Sequence, residues 1–228
     1  MSFGLSKPQI HHAQISLLFC FRSFYFCAIL LFFFKKTKVM YLFFDTETTG
    51  LPRNWRAPVS DLHNWPRMVQ LAWREYAPSA QLLKTVDYII KPEGYHIPAD
   101  AARIHGITTE RAMSEGIDLK TVLSEFWQAV RQADLIVAHN ISFDEKIVGA
   151  EFLRHAFDNI LPQKKKACTM EAGTNYCRLP SAYGYKWPKL SELHYKLFKT
   201  HFEDAHNAAV DIEITAKCFW EMKKIGLL

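Results

Sequence analysis

The chain has 228 residues, of which 49% are hydrophobic, 14% aromatic and 22% charged, and this composition excludes a disordered or collagen-like protein. Its 28 lysines and arginines exceed its 23 aspartates and glutamates, which gives a formal net charge of +5. Residues 1–39 contain no acid and hold the basic groups that make up this excess: Lys7, Arg22, Lys35, Lys36 and Lys38. Because residues 40–228 are neutral on balance, the net charge does not indicate a nucleic-acid-binding surface on the part expected to fold.

An apolar run at residues 17–34 is interrupted only by Arg22 and Ser23. A helix that spans a bilayer needs about 20 apolar residues, so the run is close to that length. Two interpretations are open. Residues 1–39 are an extension outside the functional protein, which then begins at Met40, or the run is a membrane anchor whose following lysines keep the next segment in the cytoplasm. Under both interpretations the sequence predicts a hydrophobic extension over 1–39 and a folded domain over 40–228.

The five cysteines, at positions 20, 27, 168, 177 and 218, are scattered along the chain, and no two form a C-x-x-C pair. This pattern gives no support to a zinc ribbon, a thioredoxin-type site or a disulfide framework. It is typical of proteins in the reducing cytoplasm, and we therefore expect a cytoplasmic protein.

The domain is predicted to open with a buried strand from Tyr41. Apolar residues occupy both alternating faces of this strand until Asp45 and Glu47, and the turn residues at 49–52 end it. A strand that is apolar on both faces lies in the centre of its sheet. Two more strands, joined by a turn at 77–80 into an antiparallel meander, are predicted over 69–76 and 85–90.

Helices and a further strand follow in the second half of the domain. The helical spacing of apolar residues over 119–130 predicts a helix, and residues 135–138 predict a short strand. Ser142, with Glu145 three residues later, has the pattern of a capping box that opens the next helix. Two later helices are predicted over 190–197 and 207–223. Together these elements predict an α/β layered domain.

Four acids lie where these elements begin or end. Asp45 and Glu47 are two residues apart on a strand, so their side chains project from the same face and repel each other unless a cation joins them. Asp144 lies in the first turn of the helix that follows the strand 135–138, a position that also suits the helix dipole. Asp211 lies on a helix face apolar enough to pack on the sheet, where an unpaired carboxylate is costly. Taken alone, Asp45 and Glu47 also have an explanation as N-caps or loop acids.

His206 lies five residues before Asp211, at or before the start of the last helix, from where it can lean over a cluster that contains this acid. A single histidine at a helix start is more often structural, and this one gains significance from its neighbours. Four carboxylates without a thiol or a group of imidazoles favour the hard cations Mg²⁺ and Mn²⁺ over zinc. Two such ions about 3.5–4 Å apart are a standard arrangement for displacement at phosphorus.

Three segments, in this order, resemble the exonuclease motifs of the DnaQ-like (DEDD) 3′–5′ exonucleases: residues 45–50 (DTETTG), 139–144 (HNISFD) and 206–211 (HNAAVD). Residues 102–108 (ARIHGIT) also resemble the segment that precedes the middle motif in this family. The histidine five residues before the last acid is similar to the histidine branch. The similarity covers roughly residues 40–224, and it implies a ribonuclease H-like fold, a five-stranded mixed sheet flanked by helices.

The resemblance also implies a role for each motif residue. Asp45, Glu47, Asp144 and Asp211 would hold two Mg²⁺ ions, with Mn²⁺ able to substitute, and 5′-mononucleotides would leave one at a time. His206 would take a proton from the attacking water, a task that suits histidine because this side chain titrates near neutral pH. The residues placed to contact the terminal nucleotide are Thr48, Thr49, Gly50, Leu51, Asn140 and Phe143. For the phenylalanine, packing within its helix is an equal alternative.

Two further segments combine aromatic with basic residues. In the loop 51–67 the tryptophans Trp55 and Trp65 interleave with arginines, which suits stacking on single strands and contact with phosphates. The alternative, a long loop held to the core by its tryptophans, is favoured. Residues 183–187 (YGYKW) form the second such segment, and residues 164–166 (KKK) are interpreted as a solvent-exposed turn.

The leading function is therefore a metal-dependent 3′–5′ exonuclease that acts on single-stranded DNA ends in proofreading or repair, similar to the proofreading subunit of bacterial DNA polymerase III. Exoribonucleases similar to oligoribonuclease or ribonuclease T share the catalytic positions, so DNA is preferred but RNA stays open. A noncatalytic nucleic-acid-binding module is a third hypothesis, and the intact acids and His206 speak against it. A polymerase partner also stays open, although no docking tail follows the last predicted helix. The sequence does not indicate an oligomeric state.

Overall fold

A computed structural model describes Met1, residues 41–203 and residues 206–228. Apart from Met1, the predicted extension over 1–39, with its apolar run at 17–34, lies outside the described residues, as does Met40. Within the described ranges, no helix combines the length and the apolar character that crossing a membrane requires.

The domain is built on one five-stranded mixed sheet. Its strands are β1 (Tyr41–Thr48), β2 (Met68–Tyr76), β3 (Leu82–Ile89), β4 (Leu135–Ala138) and β5 (Lys165–Cys168). They lie in the order β3-β2-β1-β4-β5, so the strand predicted to be central is central. The first three strands pair antiparallel as a meander, whereas β4 is parallel to β1 and β5 is parallel to β4. The predicted fold, a ribonuclease H-like sheet flanked by helices, is confirmed.

The helices cover both faces of this sheet and fill the connections. They are α1 (Ala99–His105), α2 (Thr109–Glu115), α3 (Leu119–Gln132), α4 (Ile141–Arg154), α5 (Thr169–Cys177), α6 (Leu190–Phe198) and α7 (Ala208–Lys224). A 3₁₀ turn at Leu161–Gln163 precedes β5, and a short hairpin of β6 (Pro180–Ser181) and β7 (Gly184–Tyr185) precedes α6. The predicted helices correspond to α3, α4, α6 and α7.

The alternation of side chains along β1 decides what each face of the sheet packs against. Leu42 and Phe44 belong to the large core that α3 and α4 complete on one face. Tyr41 and Phe43 point the other way and pack against Phe219 of α7, with ring centroids 5.7 and 5.2 Å apart. Any residue that continues β1 therefore faces either α4 or α7, according to its parity.

The prediction that residues 164–166 form a solvent-exposed turn is wrong, because Lys165 and Lys166 belong to β5. This strand lies at the edge of the sheet, where lysine side chains can reach solvent without leaving the ladder. Its register places Lys166 opposite Ile136 of β4. A polar edge strand of four residues thus has the same composition as a charged turn.

The predicted capping box at the start of α4 is also wrong. The helix begins at Ile141, and its N-cap is Asn140, which adopts the left-handed conformation with φ 70°. Asparagine tolerates this conformation better than most residues, and the helix starts two residues earlier than the serine signal indicates. The Ser142 hydroxyl donates to Asn140 Oδ1 at 3.2 Å, and Glu145 pairs with Lys166 Nζ at 2.6 Å.

Candidate active site

The first two acids of the site are delivered by β1. Asp45 and Glu47 follow Tyr41 and Phe43 on the face that packs against α7, and the apolar packing of this face ends where the acids begin. Both carboxylates are half-buried. Both acids therefore lie near the end of β1, close to the first turn of α7.

Asp211 meets these acids from the first turn of α7. One carboxylate oxygen each from Asp45, Glu47 and Asp211 lies within 4.8 Å of the other two. The first turn is fixed by Asn207, whose side-chain oxygen accepts a hydrogen bond from Ala209 N at 3.0 Å. The structure thus brings Asp211 to two acids that lie more than 160 positions earlier in the sequence.

Asp144 approaches the same strand from the opposite face of the sheet. Strand β4 pairs with β1 only up to Phe43, opposite Val137, and α4 begins shortly beyond. Asp144 Oδ1 accepts hydrogen bonds from Thr46 N at 3.1 Å and from Thr46 Oγ1 at 2.7 Å. The helix thereby satisfies a backbone N–H that the shorter strand leaves free, and the carboxylate is buried beside β1.

Burial raises the pKa of all four carboxyl groups, and repulsion from neighbouring acids adds to the rise for Asp45, Glu47 and Asp144. Burial raises the pKa of Glu47 to about 8, with further contributions from the charges of Asp211 and Asp144. Burial likewise raises the pKa of Asp144 to about 7, although the hydrogen bonds from Thr46 oppose the rise. The pKa of Asp45 is raised well above its ordinary range by burial and by the other three acids, and burial raises that of Asp211. Such a site favours an added positive charge.

The donor set fits a divalent cation. Among the ion pairs of the described residues, none joins a lysine or arginine to any of the four acids. Three convergent carboxylates without a thiol offer the hard oxygen ligands that Mg²⁺ and Mn²⁺ prefer. The chain therefore supplies the negative charge of this site and relies on an external cation to balance it.

His206 stands at the entrance of this cluster. Its backbone lies in the left-handed region with φ 72°, and its N–H donates to Asp211 Oδ2 at 3.0 Å. The residue is exposed, and it lines a cleft of about 450 Å³ together with Asp45 and Asp211. A cleft of this volume lies in the range of small-ligand sites. The only histidine of the last motif is thus held beside the acids with its ring open to a ligand.

Three of the residues predicted to contact a nucleotide, Leu51, Asn140 and Phe143, line this cleft. The other three lie at the end of β1 and in the turn that follows it. The Thr48 hydroxyl donates to Gly50 O at 2.7 Å, and Thr49 N donates to Arg67 O at 2.9 Å. For all six residues, contact with a nucleotide stays a prediction.

The long loop 51–67 is packed against the core at its C-terminal end and exposed to the cleft near its N-terminal end. Trp65 is buried, and its indole N–H donates to Pro58 O at 3.0 Å. Arg67 Nε binds the fully buried Glu151 at 2.9 Å. Trp55, by contrast, is 51% exposed and lines the cleft, with its ring 5.7 Å from that of Phe143. The interpretation as a loop held by its tryptophans therefore applies to Trp65 and not to Trp55.

Sequence reasoning did not single out two residues of the cleft, His139 and Trp187, as site residues. His139 lies at the end of β4 and Trp187 lies just before α6. The first was visible in the middle motif (HNISFD), and the second in the aromatic segment 183–187. Neither motif predicts that the end of β4 and the start of α6 lie at the same cleft, because tertiary packing brings these two elements together.

Comparisons with known proteins agree with this geometry. A family model described as exonuclease matches residues 42–219 of the chain. A DNA polymerase III of the PolC type from Streptococcus thermophilus is 32% identical over 120 residues, which is 53% of this chain and 7% of that protein. The chain thus spans only a small part of this curated relative.

Solved structures share the fold. Exonuclease I of E. coli in complex with a dA16 oligonucleotide superposes with a TM-score of 0.63 at 18% identity, over 81% of this chain and 40% of that chain. Exonuclease I from Methylocaldum szegediense superposes with a TM-score of 0.65 at 18% identity, over 82% of this chain and 41% of that chain. The chain therefore spans less than half the length of these neighbours.

Proposed function

The chain belongs to the exonuclease family, as a DnaQ-like (DEDD) 3′–5′ exonuclease, and from this we propose that it hydrolyses single-stranded DNA from the 3′ end with Mg²⁺ as its cofactor. The observation that carries the proposal is the group of three carboxylates, Asp45, Glu47 and Asp211, at the cleft that His206 lines. A family match alone would not require the catalytic groups to meet, whereas here they do.

The chain's own residues divide the chemistry between them. Asp45, Glu47, Asp144 and Asp211 would hold two Mg²⁺ ions, and the bound metal would supply positive charge that stabilises the attacking and leaving oxygens. His206 takes a proton from the water that attacks the terminal phosphorus. As the new phosphorus–oxygen bond forms, the bond from phosphorus to the 3′-oxygen breaks. A 5′-mononucleotide leaves, and the 3′-oxygen of the shortened strand takes up a proton from solvent.

Two comparisons favour single-stranded DNA as the substrate. Exonuclease I, which shares the fold, binds dA16 and dT13 oligonucleotides in its solved structures. The curated relative is a DNA polymerase. We therefore also propose that the protein removes mismatched nucleotides from 3′ ends. A primer with a mismatched 3′ end, compared with a matched one, tests this finer role.

Parallel digestion of DNA and RNA oligomers of one sequence tests the proposed function. With a 5′ label and Mg²⁺, we expect a ladder that shortens from the 3′ end of the DNA, with 5′-mononucleotides as product. Digestion should be absent when EDTA is added to the wild type and when the Asp211→Asn variant replaces it. Faster digestion of the RNA would make the protein an exoribonuclease, and no digestion of either strand would make it a noncatalytic binding module.

A further inference from the structure

Two of the six tryptophans differ from the rest in exposure and in place. All six lie in the described part of the chain, and Trp65, Trp73, Trp127 and Trp220 are buried or half-buried. Trp55 and Trp187 are 51% and 63% exposed. Both line the cleft of the acids and His206. Because exposing a large indole to water is unfavourable, two such side chains at one site indicate a ligand that covers them.

Trp55 is presented by a firmly held segment. Its ring lies 5.7 Å from Phe143, and its backbone oxygen accepts a hydrogen bond from Lys146 Nζ at 2.9 Å. The preceding Asn54 N donates to Asn64 Oδ1 at 2.7 Å, and Asn64 Nδ2 donates back to Asn54 O. These contacts fix the backbone on both sides of the indole and leave its outer face open. Little ordering entropy is then lost when a flat ligand stacks on it.

Trp187 is held in the same way from the other segment of the cleft. Lys186 N donates to Leu179 O at 2.9 Å, and Lys186 Nζ binds Glu192 at 2.6 Å. On the other side, Pro188 O lies 3.0 Å from His139 Nε2. Because a carbonyl only accepts, His139 Nε2 carries the proton, and Nδ1 then accepts from the Thr169 hydroxyl at 2.9 Å. The end of β4 thus fixes the residue next to the indole.

We propose that Trp55 and Trp187, the indole pair, stack on the bases of the 3′-terminal segment of the substrate and make the enzyme require unpaired bases. The inference rests on the proposed function, because it places the strand end at the acids and His206. Neither indole nitrogen has a hydrogen-bond partner in the described part of the chain, and about half or more of each side chain is exposed, so each indole has surface available to a ligand. Stacking of this kind tolerates every base, because every base has a π-face.

Stacking by the indole pair also explains how a domain without net charge can bind nucleic acid. A surface that binds nucleic acid mainly through phosphates favours a basic stripe, whereas residues 40–228 carry no net positive charge. Recognition through the bases needs no such stripe. In a duplex the base faces are already covered by their neighbours, so an indole competes with base stacking and a single strand is preferred.

Binding measured without hydrolysis separates this inference from the proposed function. In EDTA, fluorescence anisotropy compares two labelled oligothymidylates, one normal and one with an abasic 3′-terminal nucleotide. We expect the wild type to bind the normal end about tenfold more tightly, since one base–aromatic stack is worth about 1–3 kcal/mol. The variants Trp55→Ala and Trp187→Ala should lose most of this preference, and Trp→Phe at each position should retain it.

A matched control is Tyr195→Ala, which removes a 46% exposed aromatic ring outside the lining of the cleft and should leave the preference unchanged. If the alanine variants keep the wild-type preference for the normal 3′ end, or if the wild type shows no such preference, the proposed stacking role of the indole pair is wrong. Release of mononucleotides under that outcome would leave the proposed function intact. Conversely, an indole-dependent preference without any hydrolysis in Mg²⁺ would overturn the proposed function alone.

Discussion

Glu151 and the acid cluster at the end of β1 differ in how the protein compensates their negative charge. Glu151 in α4 is completely buried, and its Oε1 accepts from Arg67 Nε at 2.9 Å and from Met68 N at 3.1 Å, with Arg154 Nη1 at 3.0 Å. The acid cluster at the end of β1 receives hydrogen bonds from Thr46 and from the His206 backbone, but no ion pair among the described residues.

We infer from this difference that Glu151 serves the fold, whereas the acid cluster serves the proposed chemistry. Two arginines neutralise Glu151, and the same arginines hold the loop 51–67, since Arg154 Nη2 donates to Leu62 O and to Trp65 O. Within residues 41–203 and 206–228 the acid cluster has no such ion-pair partner, so only bound protons or an added cation offset its negative charge. Substitutions at the two places should therefore have opposite effects on activity and on stability.

The largest expected effect is on activity in the acid cluster. Asp45→Asn should lower kcat/KM by about 1,000-fold or more, because the charge stabilisation that bound metal supplies is worth several kcal/mol. The protein should stay folded, because the amide has the shape of the carboxylate and removes repulsion. Steady-state digestion of a labelled strand measures this. Asp100→Asn, the same change at an 86% exposed side chain of α1, is the matched control; equal rates in the two variants would contradict the assignment.

A second effect concerns the histidine. His206→Ala should lower kcat by about 100- to 10,000-fold, the usual contribution of a general base. Since the side chain is exposed, thermal unfolding should be unchanged. His201→Ala removes an exposed histidine outside the lining of the cleft and should keep full activity. Retention of more than about a tenth of the wild-type rate in His206→Ala would remove this residue from the reaction.

Glu151 should show the reverse behaviour. Glu151→Ala leaves Arg67 and Arg154 without their shared partner and should lower the free energy of unfolding by about 3–5 kcal/mol. Urea titration measures the loss. Glu151→Gln, which keeps the shape and one acceptor, should lose less. A change below about 1 kcal/mol in the alanine variant would mean that this ion pair does not hold the loop.

The smallest effect is a pH dependence of the metal-free protein. Because burial raises the pKa of Glu47 to about 8 and that of Asp144 to about 7, the folded state keeps protons that the unfolded chain has released. Stability in EDTA should therefore fall as the pH rises from about 5 to about 8. Glu47→Gln should flatten the fall. A wild type in EDTA that gains stability over this interval, or a variant with an unchanged slope, would contradict the raised pKa values.

Much of this arrangement was predictable because it depends on local rules. Parity along a strand places Asp45 and Glu47 on one face, and the apolar residues on both faces of β1 predict its central place. The spacing of His206 and Asp211 likewise predicts a histidine just before a helix that carries an acid. The family resemblance then connects these local features in the correct order.

The rest depends on contacts that no local pattern contains. Thr46 and Asp144 are 98 positions apart, and their contact exists because β4 stops short of the end of β1. Strand β5 was missed because an edge strand needs apolar residues on one side only, and its lysines have the composition of a turn. Trp187 reaches the cleft through its anchors on Leu179 and on His139, so its role depends on the packing of three elements.

Calorimetric titration of Mn²⁺ at about pH 8 tests the central claim most directly, namely that the uncompensated acids hold a divalent cation. The wild type should bind the ion and release protons, because metal binding displaces them from carboxyl groups whose pKa burial has raised. Glu151→Gln should bind like the wild type, and Asp45→Asn should not bind measurably. Equal binding by Asp45→Asn and the wild type, or no binding by the wild type, would contradict the account.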